Sequence, residues 1–194
     1  MTFLPMRAGA ALLIAAVLSS CTSAADQDRA AQPPPSADVT AEVAAHNTED
    51  VMFAQMMIPH HRQAIELAAL VPGRSTSPEL LALATRIAGE QQPEIDTMKA
   101  LLLQWDADPS AGHGGHGGMA GMVDEATMNR LMALSGPAFE SLWLQSMISH
   151  HRGAIEMAET EIADGRSPDM ITLAKNIVAA QQAEIDQMTQ MAAN

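Results

Sequence analysis

Shifting the chain against itself by 90 positions aligns residues 50–98 with 140–188 without a gap, and 21 of the 49 pairs are identical. The matches include Met57/Met147, Ile58/Ile148, His60/His150, His61/His151, Arg62/Arg152, Ala64/Ala154, Ile65/Ile155 and Glu66/Glu156. Ser77-Pro78 then recurs as Ser167-Pro168, Gln91-Gln92 as Gln181-Gln182, Glu94-Ile95-Asp96 as Glu184-Ile185-Asp186, and Met98 as Met188. A duplication of this length means that one supersecondary unit is used twice, and the two copies must bury each other's apolar faces.

Each unit reads as a helical hairpin. Asn47 or Thr48 can cap a first helix whose apolar positions Phe53, Met57, Ala64 and Leu67 recur at helical spacing until Pro72-Gly73. Ser77-Pro78-Glu79 supplies an N-cap, a proline at the first helical position and an acid in the first turn, and Ser167-Pro168-Asp169 repeats the signal. The second helix carries Leu80, Leu83, Ile87, Ile95 and Met98 towards Trp105 and breaks at Asp108-Pro109. A short helix is expected from about Asp124 to Leu134, and a long one from Gly136-Pro137. Strand signals are missing. Two hairpins with one apolar face each predict an all-α fold, an antiparallel four-helix bundle with a short connecting helix. Pro59 and Pro93, against Ser149 and Ala183 in the other copy, are expected to bend their helices and free a carbonyl.

Ahead of the repeats, Arg7, the apolar stretch Ala8 to Leu18 and the small residues up to Cys21 read as a secretory signal, too short for a membrane-spanning helix. Leu18-Ser19-Ser20-Cys21 resembles a bacterial lipoprotein cleavage box, which makes Cys21 the lipidated first residue of the exported chain. The alternative is a plain secretory signal with an incidental cysteine. Cys21 is the only cysteine, so disulfides, thiolate metal sites and cysteine catalysis are excluded once it carries lipid. Such a protein is anchored to the membrane at the cell envelope rather than spanning it.

The expected organisation is a signal peptide (1–20), a lipidated N-terminus and tether rich in Ala, Asp, Ser and Pro (21–46), and a bundle domain (47–194). The domain divides into repeat 1 (47–106), a Gly/His/Met linker (107–123) and repeat 2 (124–194). Without the leader's Arg7, nine basic residues stand against 23 acidic ones, which argues against nucleic acid as a partner. With no Tyr, two Trp and three Phe, the core has to be aliphatic and Met-filled. Met52, Met56, Met128, Met132, Met157 and Met170 are expected to fill it.

The motif Met-Ile-x-His-His-Arg-x-Ala-Ile-Glu carries the chemistry. Residues three and four apart share a helix face, so Met57 lies beside His60 and His61, and Met147 beside His150 and His151. The two histidines of each pair point about 100° apart, so they are not expected to face inward equally. Pairing within the hairpin brings Gln91, Glu94 and Met98 near the first triangle, and Gln181, Glu184 and Met188 near the second, as supporting groups. Thioether with imidazole suits copper: sulfur favours Cu(I), and histidine accommodates Cu(II) as well. Zinc prefers Cys or a third His, while calcium and magnesium need an oxygen cage. Both histidines sealed in apolar packing would argue against metal.

The linker Ala111–Met122 spaces His113, His116, Met119 and Met122 among glycines, a metal-capturing composition whose plainer reading is a flexible connector.

The doubled motif, followed by Gln-Gln-x-Glu-Ile-Asp-x-x-Met, resembles the bacterial domain-of-unknown-function 305 family, a ferritin-like helical group, from Asn47 to the C-terminus. Its members include envelope copper-binding proteins. The resemblance therefore implies copper ligation by Met57, His60, His61, Met147, His150 and His151. Three functions stay open. One is a non-enzymatic copper-binding envelope lipoprotein that buffers, sequesters or delivers the metal to an unidentified protein partner. Another is a metal-free envelope scaffold with structural histidines. The third is a ferritin-like di-iron oxidoreductase, whose usual Glu-x-x-His pairs are absent from the sequence.

Overall fold

The computed structural model describes residues 45–111 and 120–193. Five helices make up the described chain: α1 (Thr48–Leu70), α2 (Pro78–Gln104), α3 (Glu125–Ala133), α4 (Gly136–Asp164) and α5 (Pro168–Ala192). No strand occurs among the described residues. None of these helices is long and apolar enough to cross a membrane.

Local signals set the helix starts. The Asn47 side chain accepts from the backbone N–H groups of Glu49 and Asp50, and Asp50 accepts from the Asn47 N–H, closing a capping box at α1. Ser77 and Ser167 cap α2 and α5, each with proline at the first helical position, and Asp124 caps α3. A short 3-10 turn, Val71–Gly73, ends the first hairpin's leading helix. Pro59 and Pro93 lie inside continuous helices.

The two hairpins, α1–α2 and α4–α5, pack through α1 against α4, which run antiparallel. Trp143 Nε1 on α4 donates to the Leu67 carbonyl of α1 at 2.8 Å. The first turn also meets the second unit, where Ser75 Oγ donates to Glu140 at 2.5 Å and the Gly136 N–H to the Arg74 carbonyl at 2.7 Å.

The buried apolar residues form two clusters rather than one. The first gathers Leu67, Leu80, Leu83, Ile87, Phe139, Trp143, Met147 and Met188. The second gathers Phe53, Met57, Ile58, Ile95, Met98, Leu102, Ala158, Met170 and Ile177. Between the helix stretches that supply them lie the His-His pairs with Gln91, Gln181 and Glu184, buried but polar, and the half-buried Glu94. Two of the methionines expected in the core, Met52 and Met132, are exposed instead, because they fall on the solvent faces of α1 and α3.

Candidate metal centre

All four motif histidines are buried, at 1% exposure or less. This corrects the expectation that two rings 100° apart on a helix must have unequal burial. The reason is that α1 and α4 are each covered twice, by the hairpin partner and by each other. His61 faces α2, where its Nε2 lies 2.7 Å from Glu94 Oε2, and His151 faces α5, with Nε2 2.8 Å from Glu184 Oε2. His60 and His150 instead turn towards one another, with ring centroids 3.7 Å apart and planes tilted by 37°. Residues equivalent under the duplication therefore meet at the pseudo-twofold axis.

The rings are sealed from water, yet their neighbours are other polar groups. Burial, reinforced by the neighbouring histidine His61, pulls the His60 pKa down to about 3, against a weaker opposing hydrogen bond from Ala120. Burial first, then His60, His151 and His61, hold His150 well below its ordinary value. Both central rings are thus neutral at physiological pH, the state that carries a lone pair.

Hydrogen bonding decides which nitrogen carries that lone pair. A carboxylate or carbonyl only accepts, so the Nε2 atoms of His61 and His151 donate to Glu94 and Glu184, and His60 Nε2 donates to the Ala120 carbonyl at 3.2 Å. In the neutral ring Nδ1 is then the free donor atom. The Nδ1 atoms of His60, His61 and His151 are buried without a hydrogen-bond partner, and neither ring nitrogen of His150 has one of ordinary geometry. Both polar atoms of the buried Gln91 amide and Gln181 Oε1 also lack a hydrogen-bond partner, and Glu184 Oε1 has only the ion pair with Arg86 Nε at 3.8 Å. So many orphaned atoms in one layer are costly unless something binds them.

Met57, Met98, Met147 and Met188 are all fully buried. Met57 and Met98 belong to one apolar cluster, Met147 and Met188 to the other. Among the described residues, no group of three or more His, Cys, Asp and Glu side chains is placed to hold a metal ion. Nitrogen and oxygen alone therefore complete no site there, and the thioethers are the further donors that the layer's borders offer.

Of the linker positions, Met122 borders a pocket of about 180 Å³ with Gly121, Ser146 and Ser149, one turn before His150. His113, His116 and Met119 lie outside the described residues, as does Cys21.

Sequence reasoning missed two features. Asp50 reaches the opposite hairpin, accepting from the Ser167 N–H at 2.8 Å and the Arg166 N–H at 3.1 Å. Beside it sits the buried Glu161, whose oxygens find no ordinary donor. Burial, then the hydrogen bond and charge of Asp50, push the Glu161 carboxyl up to about 8. Burial also pushes Asp50 up, but the N–H groups of Asn47, Ser167 and Arg166, with Glu161, bring it below its ordinary value. The signal was a break in the repeat, since Glu161 stands where the first copy has Val71. The second missed feature is Gln63, which holds the backbone of Val123 by two hydrogen bonds and stands where the second copy has Gly153.

The described chain is a duplicated four-helix bundle with a buried polar layer of histidine, glutamine and glutamate between two apolar clusters. Residues 50–192 match the domain of unknown function DUF305, and the chain belongs to that family. Among solved structures, a DUF305 protein from Streptomyces coelicolor is 32% identical with a TM-score of 0.68, the match covering 75% of this chain and 92% of that one. A DUF305 fragment from Deinococcus radiodurans is also 32% identical with a TM-score of 0.68, over 76% of this chain and 97% of the fragment. CopM in its Cu(II)-bound form is 34% identical with a TM-score of 0.66, over 75% of this chain and 96% of CopM. CopM has also been solved with Cu(I), with silver and without metal. None of the curated proteins matches the chain.

Proposed function

We propose that this chain is a non-enzymatic copper-binding lipoprotein of the cell envelope that buffers, sequesters or hands on copper through its two Met/His motifs. The observation that carries the reading is the set of buried Nδ1 atoms without a hydrogen-bond partner on His60, His61 and His151, with the buried Met57 and Met147 three or four residues away on the same helices. A carboxylate on the far nitrogen raises the basicity of a ligating imidazole and fixes its orientation, the part that Glu94 and Glu184 play here. Sulfur and neutral imidazole together favour Cu(I), with Cu(II) accommodated by the histidines. CopM, similar over 75% of this chain, has been solved with Cu(II), with Cu(I) and with silver bound.

Gln91 and Gln181 serve as supporting groups, with unpartnered amide atoms beside the layer. His113, His116, Met119 and Met122 make a capture segment, and lipid on Cys21 holds the bundle at the membrane.

Metal analysis of protein exported from copper-fed cells, with melting curves with and without Cu(I), tests the function. A ligand present at 100 times its Kd and bound only to the folded state adds about 2.7 kcal/mol. Bound copper and a raised melting temperature are expected. An unchanged melting temperature would instead support the metal-free scaffold, and Cys21→Ser leaving the protein in the membrane fraction would remove the anchor from the reading.

A further inference from the structure

The repeated motif differs at two interior places, Pro59 against Ser149 and Gln63 against Gly153, and the residues of the second pair both touch the same piece of chain. Gln63 Nε2 donates to the Val123 carbonyl at 2.8 Å, while its Oε1 accepts from the Val123 N–H at 2.8 Å. Opposite, a Cβ on Gly153 would lie 2.0 Å from the Ala120 carbonyl oxygen and 2.7 Å from the Gly121 nitrogen, backbone atoms that cannot swing aside. Gly121 itself has φ +78°, and a Cβ there would meet the Ser149 and His150 carbonyl oxygens at 2.6 and 2.9 Å. A glutamine clamp on α1 and a glycine notch on α4 thus seat residues 120–123 across the junction of the two hairpins.

That seat has a chemical consequence for one histidine only. The Ala120 carbonyl lies 3.2 Å from His60 Nε2, whereas His150 has the His60 backbone, and not this strap, as its hydrogen-bonding neighbour. A neutral imidazole holding its proton on Nε2 offers Nδ1 as the lone pair, and the other tautomer withdraws it.

We propose that Gln63 is a positioning residue for the histidine layer: by clamping Val123 it keeps the Ala120 carbonyl on His60, selects the Nε2–H tautomer and leaves Nδ1 as the donor atom. The tautomer follows from the clamp alone, and only the use of Nδ1 for copper rests on the function proposed above. His150 lies against the His60 backbone and not against the strap, so the duplication's two central rings meet different partners.

Long-range ¹H–¹⁵N correlation spectra of the metal-free full chain read the tautomer directly. Wild-type His60 shows a protonated Nε2 and a bare Nδ1. Gln63→Leu, near-isosteric at a half-buried position but unable to hold Val123, gives a mixture of tautomers at His60. Gly153→Ala does the same by pushing the strap from the other side, so a folding defect in one variant leaves the other informative. An unchanged His60 spectrum in either folded variant overturns the proposal. Cu(I) chelator competition adds the second readout: Gln63→Leu weakens binding several-fold in the wild-type background and has no further effect in His60→Ala. A shifted tautomer with undiminished copper affinity supports the clamp and removes His60 from the copper ligands.

Discussion

The two hairpins carry the same motif but seat it in different surroundings. In the first, His60 Nε2–H donates a hydrogen bond to the Ala120 carbonyl, and Gln63 holds that strap in place. In the second, His150 meets the His60 backbone in place of the strap, and Gly153 makes room for the strap instead of gripping it. The ends of the bundle diverge as well. Glu140, equivalent to Asp50, accepts from Ser75 Oγ at one end, while Asp50 accepts the backbone N–H groups of Asn47, Arg166 and Ser167 at the other beside the extra carboxyl of Glu161. The comparison teaches that duplication preserved the candidate ligands and their orienting carboxylates, and that individuality entered through the residues around them.

The largest expected effect compares Phe53 with its equivalent Trp143, each buried in a different apolar cluster. Alanine at either site costs about 3–5 kcal/mol by loss of contact and a residual cavity. Trp143→Ala should be the worse of the two in urea unfolding, because it also abandons the bond to Leu67. Trp143→Phe isolates that bond at about 1 kcal/mol. Equal losses in the two alanine variants would show that the bond adds nothing.

Next in size are the orienting carboxylates. Glu94→Ala and Glu184→Ala should each weaken copper binding about 10- to 100-fold, the usual consequence of deleting such a partner. Chelator competition on each variant reads the loss, and a larger effect at one site ranks the hairpins.

Much of this architecture was legible in the sequence. The ninety-residue repeat, the Ser77-Pro78 and Ser167-Pro168 starts and the Asn47 cap are local signals, and each helix begins where they place it. Pairing within a hairpin also brought Glu94 to His61 and Glu184 to His151. What could not be read was contact between hairpins, since helical periodicity assigns a residue to a face but does not say how many neighbours cover that face. Hence His60 and His61 were expected to differ in burial, and the stacking of His60 on His150 went unforeseen. Departures from the repeat at positions 63/153 and 71/161 carried the missing information.

The asymmetric carboxyl pair predicts a pH dependence. In the folded chain Glu161 keeps its proton up to about pH 8, whereas the unfolded chain releases it near the ordinary value of 4.5. The folded state therefore binds more protons in that interval. This contribution to stability is fully present below about pH 4.5 and declines as pH rises to about 8. Below about pH 6.5 the buried neutral rings of His60 and His150 work in the opposite sense, so melting temperature should fall between about pH 6.5 and 8 in the wild type and lose that decline in Glu161→Gln. A variant with the same pH profile as the wild type would place the titrating group elsewhere.

The smallest expected effects are at the caps. Ser77→Ala and Ser167→Ala remove equivalent hydrogen bonds, to Leu80 N and Met170 N, at about 1 kcal/mol each. Ser167 is fully buried, so its variant should lie at the costlier end.

The central claim is that the two Met/His motifs bind copper. Competition with a Cu(I) chelator, on the folded wild type and on Met57→Ala/His61→Ala/Met147→Ala/His151→Ala, tests it most directly. Tight Cu(I) binding in the wild type that is lost in the quadruple variant is the predicted result, and unchanged affinity in that variant would contradict it.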